Sequence, residues 1–391
     1  MGRKQPSIES IDLGVLDTEF PSKTIEKILQ ETNTQSLRTR KLPASLMVHY
    51  CIALGLMASV GVRQVLRHVL DKYREGPQRR GPLASESAIT QARQRLGVEP
   101  LRRLFDEYVR PLAPKWLKSA WYREWRVVTI DGTTIRVLDT DANGERFGRP
   151  AAVRGKTAYP QLRLVGLLEN GTRILFAMAF GTYHTGENTL ARSVVSRLES
   201  GMLCLADRGF FGHELWNQAV ATGADLLWRI KKTIRAPRFE RLPDGSYRTE
   251  VRQRGKQPRP ARLIAFTLTF KSGRVEHYRL LTTIMDDKLA PATELADLYS
   301  RRWNVETTLD ELKVEIGGPK LVLRSGLPEL VEQDLYGLML AHFGVRHEML
   351  EAAREEHCDP TEFSFTNALH VIIRRLPEMV AIPPSAEAAL P

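Results

Sequence analysis

The spacing of apolar and polar positions changes twice along the chain and divides it into three parts. From Ser22 to about Leu117 apolar residues recur at helical spacing, and Leu46–Met57 is apolar enough to be a buried helix. We therefore predict helices over most of this part, the last of them at Pro100–Trp116. Residues 1–21 are polar and weakly patterned, which predicts a loosely ordered N-terminus.

From Trp121 onward the apolar positions follow strand spacing. Arg126–Val137 is a β-branched, apolar run with one central acid, Asp131. An acid inside a buried strand costs free energy unless it is paired or binds a metal, so Asp131 is a candidate site residue. The alternative is a hairpin, because Asp131-Gly132 is a favourable turn dipeptide and both flanks have strand character. The Gly- and Asp-rich stretch Asp139–Gly155 predicts a loop.

A second acid follows a short buried strand. Met202–Ala206 is apolar throughout, and Asp207 comes directly after it, ahead of Gly209 and a predicted helix at His213–Ala221. This order places Asp207 at the carboxyl end of a strand, where open α/β sheets bind their ligands. Asp207 is therefore a second candidate site residue.

The third part begins where the alternation of strands and helices stops. Residues 231–285 are basic and strand-rich, with turn signals between the strands, which predicts a β insertion. Two long amphipathic helices are predicted after it, at Pro328–Leu350 and Phe363–Leu376. Residues 377–391 predict a frayed tail.

Between the insertion and those helices, the segment Tyr299–Lys313 predicts a helix with a distinctive polar face. Successive offsets of three, four and seven residues bring a phenol, a carboxylate and two cations to that face. They are Tyr299, Arg302, Glu306 and Lys313. One carboxylate among cations suits a metal ion that is itself bound to phosphate. The alternative is an ordinary amphipathic surface helix with i, i+4 ion pairs.

The charge of the chain points to a polyanionic partner. There are 57 Lys and Arg against 46 Asp and Glu, a formal net charge of +11. Such an excess favours nucleic acid as the partner. The cations are spread over several segments, so several surfaces can contact one long ligand. Lys231 and Lys232, which open one basic run, are candidate DNA contacts.

One N-terminal helix has the composition of a DNA-binding helix. Ser85–Gly97, SESAITQARQRLG, is similar to the second helix of a small helical DNA-binding unit. Ser85 would cap it, Ile89 and Leu96 would face inward, and Arg93 would face outward as a candidate DNA contact. Many helices that do not bind DNA share this composition, so the alternative is a purely structural helix.

The cysteines and the apolar runs restrict the compartment. Cys51, Cys204 and Cys358 are isolated in the sequence, which argues against a disulfide framework or a zinc site. We expect Cys51 and Cys204 in the core. No signal peptide is apparent, and the longest apolar run, Leu46–Ser59, is too short to span a bilayer. These features predict a cytosolic protein with no membrane partner.

Three acids now stand in a characteristic order along the chain. Asp131 lies in an early strand, Asp207 ends a later strand, and Glu306 lies on a helix after an insertion. Such a set can hold two divalent metals about 4 Å apart, the spacing used for in-line phosphoryl transfer. Oxygen ligands of this kind favour Mg²⁺ or Mn²⁺ over zinc.

Several blocks of the sequence resemble one known family. They are TRKLPASLMVHYCIALGL and SAITQARQRLG in the helical part, followed by VVTIDGTTIRVLDT, LADRGFFG, YSRRWNVETTLDELK and LRSGLPELVEQDLYGLML. In this order they resemble the DDE transposases of bacterial insertion sequences, specifically the group typified by insertion sequence four. The resemblance covers nearly the whole chain. Its most specific part is the complete Y-x2-R-x3-E-x6-K signature, whereas the DGT and DRGF blocks add weight through their order.

The resemblance implies an α/β fold with an RNase H-like core. A mixed sheet would be flanked by helices, with an all-helical DNA-binding domain before it and a β-rich insertion ahead of the catalytic glutamate helix. From the changes of pattern along the chain we expect residues 22–120 to form the helical domain, 121–230 with 286–376 the catalytic domain, and 231–285 the insertion.

The same resemblance implies roles for individual residues. Two Mg²⁺ or Mn²⁺ ions would be held by the catalytic acids, which are Asp131, Asp207 and Glu306. Tyr299, Arg302 and Lys313 would contact the DNA backbone near the cleaved end. In the insertion strand HYRLLTTI, Tyr278 would stack on a flipped base, and the alternative is that it only packs within a hairpin.

The predicted function is that of a transposase acting on double-stranded DNA. It would bind terminal inverted repeats, pair two ends as a homodimer, cut them through a hairpin intermediate and join them to target DNA. The resemblance implies a bacterial cytoplasmic protein associated with the nucleoid. Two alternatives remain, a DNA-binding repressor or silent derivative of a transposase and an RNase H-like nuclease. The intact acid triad argues against the repressor or silent derivative. Whether cleavage requires a defined terminal repeat distinguishes a transposase from the nuclease.

Overall fold

The first part of the chain is helical, as its periodicity predicted. The computed structural model describes residues 20–36, 41–71, 83–151, 158–269, 275–302, 309 and 321–375. Its first helices are α1 (Ser22–Glu31), α2 (Ala44–Leu56), α3 (Val62–Asp71), α4 (Glu86–Leu96) and α5 (Glu99–Tyr108). Ser85 caps α4, since its hydroxyl accepts a hydrogen bond from the Ala88 amide at 3.2 Å. Helix α5 ends at Tyr108 and not near Trp116 as expected, because Pro111 follows and proline disfavours helix in the residues before it.

The strands of the described chain form one mixed sheet of eleven strands. In chain order they are β1 (Trp121–Tyr122), β2 (Trp125–Val137), β3 (Gln161–Glu169), β4 (Leu175–Thr182), β5 (Met202–Ala206), β6 (Asp225–Arg229), β7 (Glu240–Arg241), β8 (Tyr247–Val251), β9 (Arg259–Thr269), β10 (Val275–Thr282) and β11 (Val322–Leu323). The short strands β1 and β11 both pair with β2.

The centre of the sheet has the order β4-β3-β2-β5-β6. The first three of these strands are antiparallel, whereas β2, β5 and β6 run parallel. This is the RNase H-like mixed sheet that the resemblance implied, and that prediction is confirmed. Strand β2 continues without a break through Asp131-Gly132, and Asp131 pairs with Gly166 of β3. The hairpin alternative for these two residues is therefore excluded.

The β insertion extends this sheet instead of folding separately from it. Strand β10 pairs antiparallel with β6, and β9, β8 and β7 follow in order. The strand-rich character predicted for this stretch is thus present, and its strands continue the sheet beyond β6. As a result, the end of β6 lies between the catalytic strands and the insertion.

The remaining helices cover the sheet or follow it. They are α6 (Asp141–Phe147), α7 (Glu187–Val195), α8 (His213–Val220), α9 (Ala292–Ser300), α10 (Pro328–Glu355) and α11 (Phe365–Arg375). Helix α6 lies where a loop was expected. Its start is stabilised by Thr140, whose hydroxyl accepts a hydrogen bond from the Asn143 amide, and Phe147 at its end is fully buried.

Alternation along the strands directs side chains into two cores on opposite faces of the sheet. One face presents residues such as Val127, Leu205 and Leu227, which pack under Leu295 and Tyr299 of α9. The opposite face presents the intervening residues, including Cys204, and belongs to the larger core. Cys51 and Cys204 are both buried, as predicted.

The larger core also contains the N-terminal helices, because α10 packs directly against α2. At their crossing, a Cβ added to Gly337 would lie 2.3 Å from the carbonyl oxygen of Cys51, and one added to Gly55 would lie 2.6 Å from that of Gly337. Only glycine permits so close an approach of two helix backbones. Phe105 of α5 and Phe180 of β4 both contact the Tyr336 ring, with centroids 6.0 and 6.1 Å away. The helical segment and the sheet therefore share one continuous core.

None of the helices within the described ranges combines the length and the apolar character that a membrane crossing requires.

Candidate active site

The register of the sheet brings the two predicted aspartates together. Ile130 of β2 pairs with Ala206 of β5, and Ala206 pairs with Trp228 of β6. The next residue along each of these segments is Asp131, Asp207 and Arg229, respectively. These three residues therefore form the following row across three neighbouring parallel segments. Neighbouring strands lie about 4.8 Å apart, and residues of one row face the same side. Two carboxylates separated by 76 positions in the chain are thereby side by side at the end of β5.

This row lies on the face of the sheet that α9 covers. The smaller core under α9 contains Val127 and Leu205. Val127 lies four residues before Asp131 and Leu205 lies two residues before Asp207, so each faces the same side of the sheet as the aspartate that follows it. The row begins where that apolar core ends. Asp131 is half-buried, and its Oδ1 accepts a hydrogen bond from the Gly132 amide at 2.9 Å.

Asp207 is in contact with a cation and with a phenol. Arg229 Nη1 lies 3.7 Å from Asp207 Oδ1, and Arg229 Nη2 lies 3.6 Å from Glu276 Oε2 on β10. The guanidinium carbon is also 3.8 Å from the centroid of the Tyr278 ring. Arg229 is thus shared between two acids and packed on an aromatic face, which balances the negative charge of Asp207 without a short hydrogen bond to it.

Tyr299 stands at the end of α9 with its hydroxyl directed at the Asp207 segment. Its Oη lies 3.4 Å from the carbonyl oxygen of Ala206 and 3.5 Å from Asp207 Oδ1. Only 2% of its surface is exposed, and this burial raises the pKa of Tyr299 well above its ordinary value, so the hydroxyl remains a donor at neutral pH. The structure places Tyr299 against Asp207, and its predicted contact with DNA stays a prediction.

Tyr278 is packed on both faces. The Phe266 ring stacks on it at 5.2 Å between centroids, and the guanidinium of Arg229 covers it from the β6 side. Its exposed fraction is 2%. The geometry therefore favours the packing alternative, because stacking on a flipped base requires Phe266 or Arg229 to move away from the ring.

A cleft opens beside Asp207 between the end of β6 and the start of β10. Its volume is about 570 Å³. Two acidic residues line it, Asp207 and Glu276. Cationic residues are more numerous in its wall and are Arg208, Arg229, Lys231, Lys232 and Arg302. A cleft with one carboxylate edge and a mostly cationic wall suits a phosphodiester held next to a metal.

The predicted DNA contacts Lys231, Lys232 and Arg302 all lie in this wall. Both lysines are exposed, whereas Arg302 is 5% exposed and follows α9 by two residues. Arg302 and Tyr299 are neighbours, with the guanidinium carbon 5.8 Å from the phenol ring centroid. Tyr299 and Arg302 thus lie side by side, as their offset of three residues indicated, but the helix ends at Ser300 and Arg302 lies in the turn after it.

The other half of that face, Glu306 and Lys313, lies outside the described residues. Across the described part of the chain, no group of three or more His, Cys, Asp or Glu is arranged to hold a metal. Asp131 and Asp207 continue one row on neighbouring strands, and the oxygen donor chemistry of two carboxylates fits Mg²⁺ or Mn²⁺.

The prediction for Arg93 is wrong in its orientation. Arg93 is 5% exposed and points inward, where its guanidinium donates to Asp334 Oδ1 at 2.8 Å and to the Leu330 carbonyl at 2.8 Å. Its other nitrogens donate to Gln333 and Ser325 at 3.1 and 3.0 Å. With these partners it joins α4 to α10, and it presents no cation to DNA.

Sequence reasoning missed Arg229 and Glu276. The only signal for Arg229 was an arginine at the end of the apolar strand DLLWR, and nothing in the sequence reveals that this strand pairs in register with the one before Asp207. Glu276 carries no signal of its own. Both become recognisable only through their shared contact in the fold.

Two family models match the chain. The family described as insertion element 4 transposase N-terminal matches residues 10–106, and the family described as transposase DDE domain matches residues 123–343. The transposase InsG for insertion sequence element IS4 of Escherichia coli (strain K12) is 32% identical over 369 residues, which cover 90% of this chain and 80% of the relative.

Among solved structures, a synaptic complex of piggyBac transposase with hairpin DNA aligns with a TM-score of 0.46 at 11% identity. The alignment covers 96% of this chain and 83% of the other. That degree of similarity is too low to support conclusions about this chain.

Proposed function

Since this chain belongs to the DDE transposases of the insertion element 4 family, we propose that it excises a mobile DNA element at its terminal inverted repeats and joins the ends to target DNA. The enzyme is a DNA transposase, and DNA is its partner. The proposal that Asp131 and Asp207 belong to the catalytic site rests on one observation, which is the register that sets Asp131 beside Asp207 at the edge of a cationic cleft.

The family depends on a divalent metal. When bound, such an ion supplies charge stabilisation at the phosphoryl oxygens and a hydroxide-like nucleophile at neutral pH. Asp131 and Asp207 would hold it, with Glu306 as the third ligand, and two ions per site are proposed. Mg²⁺ and Mn²⁺ both suit this oxygen donor set.

The other residues of the cleft act on the DNA and on the acids. Lys231, Lys232 and Arg302 would neutralise phosphates on either side of the scissile bond, since fixed cations are effective where charge develops at phosphorus. Lys313 would extend this set. Tyr299 donates toward Asp207 and holds that carboxylate in place. Arg229 limits the repulsion between Asp207 and the phosphate.

The proposed reaction is a series of in-line displacements at phosphorus. Water attacks the phosphodiester at the element end, and the bond to the 3′-oxygen breaks, leaving a 3′-hydroxyl. That hydroxyl attacks the opposite strand and forms a hairpin, which a second water opens. The regenerated 3′-hydroxyl then attacks a phosphodiester of the target. Every step exchanges one P–O bond for another, so one site serves all of them. The hairpin step rests on the family resemblance.

Assembly and location follow from the same proposal. Two ends must be held together for one element to be moved, and a homodimer with one end per site is the simplest arrangement. A protein whose substrate is chromosomal DNA would be found with the bacterial nucleoid.

The proposal is tested by cleavage of the element's own end DNA with Mg²⁺, with and without a chelator. Asp131→Asn and Asp207→Asn keep the side-chain volume but remove the charged ligand, so we expect cleavage to fall by at least about a thousandfold, in line with loss of transition-state charge stabilisation. Binding of end DNA, measured by gel shift, should change little. Glu306→Gln is expected to behave in the same way.

Asp297→Asn is the matched control, because Asp297 is an exposed acid on the helix that carries Tyr299. Cleavage at the wild-type rate by the Asp131 and Asp207 variants would overturn the active-site assignment. Binding without cleavage in either metal would instead favour the repressor, and cleavage without the terminal repeat would favour the nuclease.

A further inference from the structure

The lysines of the cleft lie on a loop whose backbone is held by a half-buried arginine. Lys231 and Lys232 follow the end of β6 and begin a turn that is closed by a hydrogen bond from the Ile234 amide to the Lys231 carbonyl at 3.1 Å. Both side chains are exposed and line the cleft beside Asp207. Two adjacent like charges on an exposed turn repel each other, so their placement requires support from outside the turn.

That support comes from the neighbouring strand. Arg279 of β10 donates from Nη1 toward three carbonyl oxygens of the turn, and their distances are 3.0 Å to Ile234, 3.2 Å to Lys232 and 3.4 Å to Lys231. Its own carbonyl accepts a hydrogen bond from the Ile230 amide at 2.9 Å. One residue thus holds the segment 230–234 through both its main chain and its side chain.

Arg279 is placed for this role and not for contact with the ligand. Strand alternation directs its side chain to the face opposite Tyr278 and Leu280. Arg279 is not among the described residues that line the cleft. Burial, with a smaller contribution from Arg238, lowers the pKa of Arg279 from its ordinary value. The guanidinium nevertheless stays charged at neutral pH, and the three carbonyls offset its partial loss of water.

We propose that Arg279 is a positioning residue that orients the 231–234 turn so that Lys231 and Lys232 face the phosphates of a bound DNA strand. All three carbonyl contacts are made by Nη1. A lysine side chain is one atom shorter and more flexible, so its ammonium would not be held at the position of Nη1. The distance of the carbonyls from the strand therefore favours arginine. The inference rests on the proposed function, because it assumes that the two lysines contact DNA.

The test is the affinity for end DNA as a function of salt, measured by fluorescence anisotropy without divalent metal. Lys231→Gln/Lys232→Gln should weaken binding and reduce the salt slope by about two, as expected for the loss of two phosphate contacts. Arg279→Gln should give much of the same loss. Combining all three substitutions should add little to the effect of the lysine pair.

Arg279→Lys separates position from charge and is the more conservative variant if Arg279→Gln folds poorly. It keeps the net charge, but its ammonium falls one atom short of the position of Nη1, so we expect weakened binding close to that of Arg279→Gln. Arg248→Gln is the matched control. Arg248 is an exposed arginine on β8, paired with Glu240 at 2.9 Å, and its loss removes the same charge. Its effect on binding should be small.

Hydrogen exchange gives a readout that does not involve DNA. The Ile234 amide should exchange faster in Arg279→Gln and Arg279→Lys than in the wild type, at an unchanged melting temperature.

Three outcomes would overturn the inference. Wild-type affinity in Arg279→Lys would mean that charge alone suffices. A triple variant whose salt slope falls by about one more than that of the lysine pair would make Arg279 a direct phosphate contact. If the lysine pair can be substituted without any effect on binding, the two lysines do not contact DNA, and that part of the proposed function fails. This failure is distinguishable, because Arg279→Gln would then still change hydrogen exchange at the Ile234 amide.

Discussion

At the residue scale, the buried Arg93–Asp334 pair depends on complete hydrogen bonding. Both side chains are less than a tenth exposed, and the carboxylate also accepts from the Ser325 amide at 3.1 Å. Gln333 completes the network by donating to the carbonyls of Arg93 and Gly97. A buried ion pair is tolerated when its remaining donors and acceptors are satisfied, as they are here.

Removing one partner of this pair should be costly. Arg93→Met leaves the Asp334 carboxylate buried without its cation, so we expect a loss of about 3–5 kcal/mol in the free energy of unfolding. Urea denaturation followed by circular dichroism measures it. Arg95→Met is the control, since Arg95 is exposed on the same helix, and it should change stability by no more than about 0.5 kcal/mol. Unchanged stability of Arg93→Met together with weaker DNA binding would restore Arg93 as a DNA contact.

The spacing around Arg93 already contained this information. Arg93 follows Ile89 by four residues and precedes Leu96 by three, so all three share the inward face of α4. Composition favoured an outward cation, and periodicity indicated an inward one. At a single position, helical phase was the better guide than residue type.

At the element scale, the crossing of α2 and α10 is set by Gly55 and Gly337. A side chain at Gly337 would bring a carbon within 2.3 Å of the Cys51 carbonyl oxygen, which is backbone and cannot turn aside. The two helices must therefore separate to accept any other residue. Their close contact joins the N-terminal helices to the segment that follows the site.

Gly337→Ala should destabilise the protein although alanine favours helix. The gain in helix propensity is about 1 kcal/mol, whereas forcing the helices apart costs about 1–3 kcal/mol or more at such a distance. Because the 2.3 Å approach is to a backbone oxygen, we expect the upper end of this cost and a net loss of about 2 kcal/mol, measured as a lower urea midpoint at an unchanged slope. Gly61→Ala is the control, because an added Cβ there meets no atom within 4 Å. A stabilised Gly337→Ala protein would mean that the helices cross at a larger distance.

Elements were predicted more reliably than their relations. Strand β5 was predicted with its observed bounds, and β2 within one residue, because short apolar runs, in β2 also rich in β-branched residues, carry a strong local signal. The pairing of β2 with β5, which sets Asp131 beside Asp207, is non-local and has no pattern in the sequence. Helix α9 starts after Pro291 and ends at Ser300, so it contains only the first two residues of the stretch predicted as a helix, Tyr299–Lys313.

At the scale of the whole molecule, the sheet is shared and so is the core. The insertion strands continue the catalytic sheet, and the N-terminal helices continue its larger core. The boundaries 22–120 and 231–285 follow changes of composition along the chain. Composition describes segments that are local in the sequence, whereas the continuity of a core depends on which helix and sheet surfaces pack against each other.

The shared core predicts cooperative unfolding of the entire chain. Side chains of α2 such as Met47, Tyr50 and Leu54 are at most 5% exposed within that core. Each contributes about 1.5–3 kcal/mol by burial, so losing a handful of them removes most of the roughly 5–15 kcal/mol that stabilises a typical domain. A fragment that begins at Pro111 should therefore lack a cooperative melting transition, and the full chain should melt once, with coincident circular dichroism and tryptophan fluorescence. Co-expression with residues 1–110 is the control and should restore the transition. A cooperative melt of the Pro111 fragment alone would mean that the catalytic part folds independently and that the N-terminal helices are only docked on it.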